Sequence, residues 1–152
     1  MNNTTPVFGS CDPGIVYTYR CAAYLVAINA SGAVAAVKGR VGYFLPGGGC
    51  LDNETAEQTI HREISEEIAC GVELTGKTGE AFQYFSAASD GCQYLMHATF
   101  FVGRLTGDSD SPLRGEHELL WLCPAAHGRL FFHECHDWAV ECAVNEQKGG
   151  TT

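Results

Sequence analysis

Positive charge is scarce in this chain. Nine Lys or Arg stand against eighteen Asp or Glu among 152 residues, a formal net charge of −9. Affinity for a nucleic-acid backbone is built from many Lys and Arg contacts, so such a polymer is excluded as a partner. For a small phosphorylated ligand, the same negative field makes a bound cation more necessary. Long apolar runs are also lacking, and MNNTTPVFGS is not a basic stretch followed by an apolar one. The expectation is a cytoplasmic protein with no membrane partner. No Cys-x-x-Cys pair occurs, although cysteines stand at 11, 21, 50, 70, 92, 123, 135 and 142; without an export signal they read as reduced thiols. His133, Cys135 and His136 are near neighbours, but no second ligand pair stands at a zinc-like spacing, so a structural or surface role is assigned. Repeats, low-complexity tracts and a second domain are absent, and the length suits one domain with a proper core.

What is present divides into recognisable elements. Residues 1–16 read as an irregular polar arm, 17–146 as the folded domain and 147–152 as a tail. The β-branched and aromatic run up to Ala30, the Ser31-Gly32 turn and AVAAVKGR predict a hairpin. GYFLPGGG reads as a loop in which Pro46 stiffens the entry and Gly47 to Gly49 allow close backbone approach to a ligand. Thr55 followed by Gln58 three residues on satisfies a capping box, so a helix should start near Thr55. Ile60, Ile64 and Ile68 then give that helix a core-facing stripe. Two strand-like runs flank Asp90-Gly91, a second hairpin signal. TGDSDSPLRGEHE reads as a loop, LLWLC as a short buried strand ended by Pro124, and about Leu130 to Gln147 as a helix with Phe131, Cys135, Trp138 and Cys142 on one face. That order of strands and helices indicates an α/β sandwich with a mixed β-sheet between helices.

The chemistry is concentrated in GGCLDNETAEQTIHREISEEIAC, from Gly48 to Cys70. At about 100° per residue, Glu63, Glu66 and Glu67 fall in one sector of the helix, roughly a third of its circumference. Three carboxylates there repel one another unless water or a cation offsets the repulsion, and Mg²⁺ favours carboxylate oxygens that it can share with substrate phosphates. The plain alternative is a solvated acidic surface. It has to explain why a glycine-rich segment precedes these glutamates and why they lack lysine partners at i+4.

Gly48, five residues, Glu54, seven residues, then Arg62, Glu63, Ile64, Ser65, Glu66 and Glu67 resemble the Nudix box, the signature of hydrolases acting on a nucleoside diphosphate linked to another group. One departure stands out: Ala69 occupies the place of the usual closing glycine. Either Ala69 replaces it, or the helix runs on to Gly71. The resemblance implies a Nudix-type α/β/α sandwich over about Tyr17 to Val144. It also implies a pyrophosphohydrolase in which Glu63, Glu66 and Glu67, with the carbonyl of Gly47 or Gly48, hold Mg²⁺, with Mn²⁺ as the alternative. Glu54 and Arg62 would orient that cluster, Arg62 by pairing with a neighbouring carboxylate. The family recruits a further carboxylate outside the box, for which Glu116 and Glu118 are the candidates. The general base stays open among Glu63, Glu66, Glu116 and Glu118.

Substrate choice is read by elimination. Tyr43, Phe44, Tyr84 and Phe85, with Tyr94, lie in segments suited to lining a base pocket. The proline of the family's ADP-sugar branch is missing, since none occurs between Pro46 and Pro112, and the added upstream motif of its coenzyme A branch is absent. The expected partner is thus a small nucleotide, with a nucleoside triphosphate favoured. A nucleotide-sensing protein of the same fold without hydrolysis is the alternative, and assembly as a homodimer is left open.

Overall fold

The computed structural model describes residues 4–87, 89–107, 117–124 and 129–149. Among these described residues, eight strands and two helices run in the order β1 (Val7–Phe8), β2 (Thr18–Val26), β3 (Val34–Lys38), β4 (Tyr43–Phe44), β5 (Gly47–Gly49), α1 (Ala56–Ile68), β6 (Gly71–Ser86), β7 (Gln93–Thr106), β8 (Leu119–Leu122) and α2 (Glu134–Gly149). A five-stranded mixed sheet has the order β1-β6-β7-β2-β5, and a three-stranded antiparallel sheet the order β4-β3-β8.

β2 organises the molecule because it is apolar on both sides. Side chains alternate along a strand, so Ala22, Tyr24 and Val26 join the core under α2, and Ala23, Leu25 and Ala27 join the core under α1. Ile60, Ile64 and Ile68 are the α1 side of the second core. Cys135, Ala139, Val140 and Ala143 are the α2 side of the first. Helices on both faces of a mixed sheet make the expected α/β/α sandwich.

The β6–β7 hairpin forms around Asp90-Gly91 as predicted, with the Ala87 carbonyl accepting the Gly91 amide. The first predicted hairpin closes over a short stretch only, an antiparallel Ile28–Val34 bridge flanked by the Asn29 amide on the Ala33 carbonyl and the Ala35 amide on the Ala27 carbonyl. The turn exists, with the Asn29 side chain accepting the Ser31 and Ala33 amides, but beyond it β3 enters the smaller sheet and β2 pairs parallel with β7 from Thr18–Tyr94 to Val26–Val102. A strand buried on both faces finds more partners in the middle of a sheet than beside its sequence neighbour.

Three further readings change. GYFLPGGG is not a plain loop: Tyr43–Phe44 pair with β3, and Gly47–Gly49 pair antiparallel with Ala22–Tyr24. The N-terminal arm contributes β1, parallel to β6 at Phe82 and Gln83. The last helix begins at Glu134, after Leu130 and Phe131, because the Asp137 carboxylate accepts both of their amides and turns the chain in front of the helix. Most of the TGDSDSPLRGEHE segment, Glu116 included, lies outside the described residues.

Candidate active site

α1 starts and stops on local chemistry. The Thr55 hydroxyl accepts the Gln58 amide and the Gln58 side chain accepts the Thr55 amide, completing the capping box. Its end settles the two readings left open: Ala69 adopts φ 52°, ψ 39°, and its amide donates to the Ser65 carbonyl. Ala69 therefore takes the left-handed stop that a glycine usually supplies.

The helix lies beside β5, and each glycine of β5 meets a charged side chain of the surroundings. The Gly47 amide donates to Glu67 Oε1 at 2.9 Å. A Cβ on Gly48 would lie 2.8 Å from the Glu63 carboxylate. The Gly49 carbonyl accepts from Arg62 Nη2 at 3.0 Å, and a Cβ on Gly49 would lie 2.7 Å from the Arg20 guanidinium. Only glycine leaves room for these approaches.

Arg62 is the hub of the acidic cluster. It pairs bidentately with Glu54, through Nε to Oε2 at 2.8 Å and Nη2 to Oε1 at 3.0 Å, while Nη1 reaches Glu63 at 2.8 Å and Glu66 at 3.3 Å. Glu54 also accepts the Leu51 amide and the Thr59 hydroxyl. Its carboxyl is held down at about 2, chiefly by the Arg62 hydrogen bonds and then by the Leu51 amide, and Arg62 is correspondingly raised. Glu54 and Glu63 are largely covered, and the Glu66 side chain is half exposed.

Among the described residues no three His, Cys, Asp or Glu groups converge at metal-binding distance. Glu63 and Glu66 meet at a guanidinium instead. The donor chemistry still suits a hard cation, since the carboxylates press against the Gly47–Gly49 backbone where a Cβ would fill the space. Glu118 is exposed, one residue after the His117 amide that donates to the Glu67 carbonyl at 2.7 Å, so its segment returns to the end of α1.

Of the proposed base-pocket residues, Phe44 and Phe85 come together in one cavity of about 300 Å³, with Arg20, Arg40, Tyr24 and His133 in its walls. Tyr43 and Tyr84 do not line it. Tyr84 precedes Phe85 in a strand and so faces the other side of the sheet, against Tyr17. Tyr94 stacks on Phe85, with the Arg20 guanidinium 5.8 Å from its ring centre.

Sequence reasoning missed Arg20 and Arg40. The signal for Arg20 was available: it is in phase with Ala22 and Tyr24 on the α2 face of β2, in a chain with few cations. No carboxylate of the described residues forms an ion pair with Arg20 or Arg40, whereas Arg62 has three. His133, Cys135 and His136 are buried and structural. The His136 Nδ1 accepts the Leu45 amide, and the Cys135 amide donates to Gln83 Oε1.

A family model described as "NUDIX domain" matches residues 18–138. Solved structures share the fold. A NUDIX hydrolase from Nitrosomonas europaea is 16% identical, with a TM-score of 0.66 over 85% of this chain and 90% of that one. A MutT protein from Methanosarcina mazei Go1 is 18% identical, with a TM-score of 0.64 over 87% and 97%. An ADP-ribose pyrophosphatase from Streptococcus suis 89-1591 is 14% identical, with a TM-score of 0.63 over 86% and 93%. No curated protein sequence matches the chain.

Proposed function

The chain belongs to the NUDIX hydrolase family, and on that premise we propose that it is a Mg²⁺-dependent pyrophosphohydrolase of a small nucleotide, with a nucleoside triphosphate as the preferred class. The observation that carries the proposal is the packing of Glu63 and Glu67 against the Gly47–Gly49 backbone, with Arg62 tying Glu54, Glu63 and Glu66 into one cluster.

Glu63, Glu66 and Glu67, with the carbonyl of Gly47 or Gly48, would hold Mg²⁺ or Mn²⁺. A divalent ion there supplies neutralisation of phosphate charge and acidification of water. Arg62 orients the carboxylates and has no donor left for substrate, since its nitrogens are taken by Glu54, Glu63, Glu66 and the Gly49 carbonyl. Arg20 and Arg40 carry charge without a carboxylate partner among the described residues and are assigned to the phosphate chain. Phe44 and Phe85 wall a cavity whose volume admits a nucleobase. Glu63, Glu66, Glu116 or Glu118 takes the proton of the attacking water. The same reading places the enzyme in the cytoplasm, acting on a free nucleotide.

One observation favours nucleotide binding without hydrolysis: among the described residues Glu54, Glu63 and Glu66 converge on Arg62 and not on one another. The experiment that separates the two is a panel of nucleoside triphosphates, dinucleoside polyphosphates and nucleotide sugars, assayed for phosphate and pyrophosphate release with and without Mg²⁺. Glu66→Gln and Glu67→Gln should abolish turnover with the circular dichroism spectrum unchanged. Near wild-type turnover of both variants at saturating Mg²⁺ refutes the hydrolase mechanism, and tight calorimetric binding with no product supports the sensor.

A further inference from the structure

The register of β5 on β2 pairs Ala23 with Gly48 and Ala22 with Gly49. The next rung sets Cys21 opposite Cys50, and the Cys50 amide donates to the Cys21 carbonyl at 2.9 Å. Hydrogen-bonded partners of an antiparallel ladder have Cα atoms about 5.5 Å apart, within the roughly 4.4–6.8 Å that a disulfide spans. Directly opposed side chains also share a sheet face. Both cysteines line one open cavity of about 750 Å³ beside the N-terminal end of α1. β5 is the edge of its sheet, Cys21 is exposed and Cys50 is half-buried.

Cys21 also has a path for its proton. Its Sγ donates to the Tyr19 hydroxyl at 3.8 Å, that hydroxyl is 3.1 Å from His97 Nδ1, and His97 Nε2 is 2.7 Å from Glu80 Oε1. Cys21 and His97 are themselves register partners on β2 and β7. Lys77 and His97 hold the Glu80 carboxyl below its ordinary range, so it remains an acceptor for the His97 Nε2–H. That leaves Nδ1 free to take the Tyr19 proton as Tyr19 takes that of Cys21.

We propose that Cys21 and Cys50 are a modification site, a dithiol that a hydroperoxide oxidises to an intramolecular disulfide, with Cys21 as the attacking thiol and Tyr19, His97 and Glu80 as its proton relay. In the first step the Cys21 sulfur attacks one peroxide oxygen and the O–O bond breaks. The sulfur becomes a sulfenic acid, and the other oxygen leaves as water or an alcohol, carrying the proton from the relay. In the second step the Cys50 sulfur attacks the Cys21 sulfur, the S–S bond forms, and the S–O bond breaks with loss of water that takes the Cys50 proton. Two thiols and one hydroperoxide thus give one disulfide, one water and one further water or alcohol. The disulfide ties β2 to the residue that follows Gly49, whose carbonyl holds Arg62. The proposal does not depend on the substrate of the hydrolase.

The test is oxidation of the full chain with equimolar hydrogen peroxide, followed by alkylation, digestion and mass spectrometry. Cys11, Cys92 and Cys123, also exposed, serve as internal controls. The expected product is a Cys21–Cys50 linked peptide pair that dithiothreitol resolves. Cys50→Ser should halt the reaction at a Cys21 sulfenic acid that dimedone labels, and His97→Gln should slow disulfide formation about tenfold. Recovery of Cys21 and Cys50 as alkylated thiols while a control cysteine is oxidised overturns the proposal, as does linkage of Cys21 to any other residue. An unchanged rate in His97→Gln overturns the relay.

Discussion

Arg62 holds Glu54 through two parallel hydrogen bonds, and the same guanidinium reaches Glu63, so the first glutamate of the box is joined to the later ones by a single side chain. A planar fork forms both bonds at once, and an ammonium does not. Arg62→Lys should therefore lower kcat/KM by about 10- to 100-fold, and Glu54→Gln by a similar factor, as when the partners that orient metal ligands are removed. Because the two residues act as one unit, the double variant should lose no more than the worse single one. Steady-state kinetics of the four proteins check this, and independent multiplicative losses show that the two act separately.

Gly47 and Gly48 are neighbours with opposite expected responses to alanine. At Gly48 the new Cβ meets the end of the Glu63 side chain, which is flexible. At Gly47, with φ +139°, it meets the backbone of Ala23 and Tyr24, which is not. Gly48→Ala should keep its melting temperature within a few degrees but weaken Mn²⁺ binding measured by calorimetry. Gly47→Ala should lose about 1–3 kcal/mol of stability. Equal melting temperatures for the two variants contradict the assignment of the first to the site and the second to the frame.

What was legible in the sequence was local. The Thr55–Gln58 box and the Ile60, Ile64 and Ile68 stripe depend on residues within one or two helical turns, and the structure keeps both. Where the chain chooses distant partners, pattern falls short. The Ser31-Gly32 turn is real, yet nothing local to it says that β2 pairs with β7. Strand alternation separates Tyr84 from Phe85 but does not say which of them faces α2. The cavity that Phe44 and Phe85 share with Arg20 and His133 draws on β2, β4, β6 and the approach to α2, so no single stretch encodes it.

The helix stop carries a removable strain. Ala69 is left-handed, with φ 52°, a conformation that disfavours a Cβ by roughly 1–2 kcal/mol and that glycine adopts freely. Part of the gain from Ala69→Gly is offset by the greater freedom of glycine in the unfolded chain. The expected net effect is a stabilisation of about 0.5–1 kcal/mol, visible as a rise of roughly 1–4 °C in melting temperature. A fall in melting temperature shows that the Ala69 methyl packs more favourably than its backbone is strained.

Two buried imidazoles set the acid sensitivity of the fold. Burial, with the Arg20 and Arg129 charges adding to it, holds His133 down at about 4 from an ordinary 6.5, and burial, with the neighbouring His133, also lowers His136 well below the ordinary imidazole range. Between those values the unfolded chain binds protons that the folded chain refuses. No penalty is felt above about pH 6.5, and the stability falls progressively as the pH drops from there toward 4. His133 alone accounts for roughly 2 kcal/mol between pH 7 and pH 5, or about 4–8 °C in melting temperature. Glu54 acts in a different window: its depressed carboxyl contributes above about 4.5 and loses that contribution only as the pH approaches 2. Melting curves from pH 8 to pH 5 should thus fall for the wild type and flatten for His133→Phe, which keeps a ring against Phe44, Phe85 and Phe132 without a titrating nitrogen. An unchanged slope in that variant assigns the acid sensitivity to His136, whose ring packs on Tyr24.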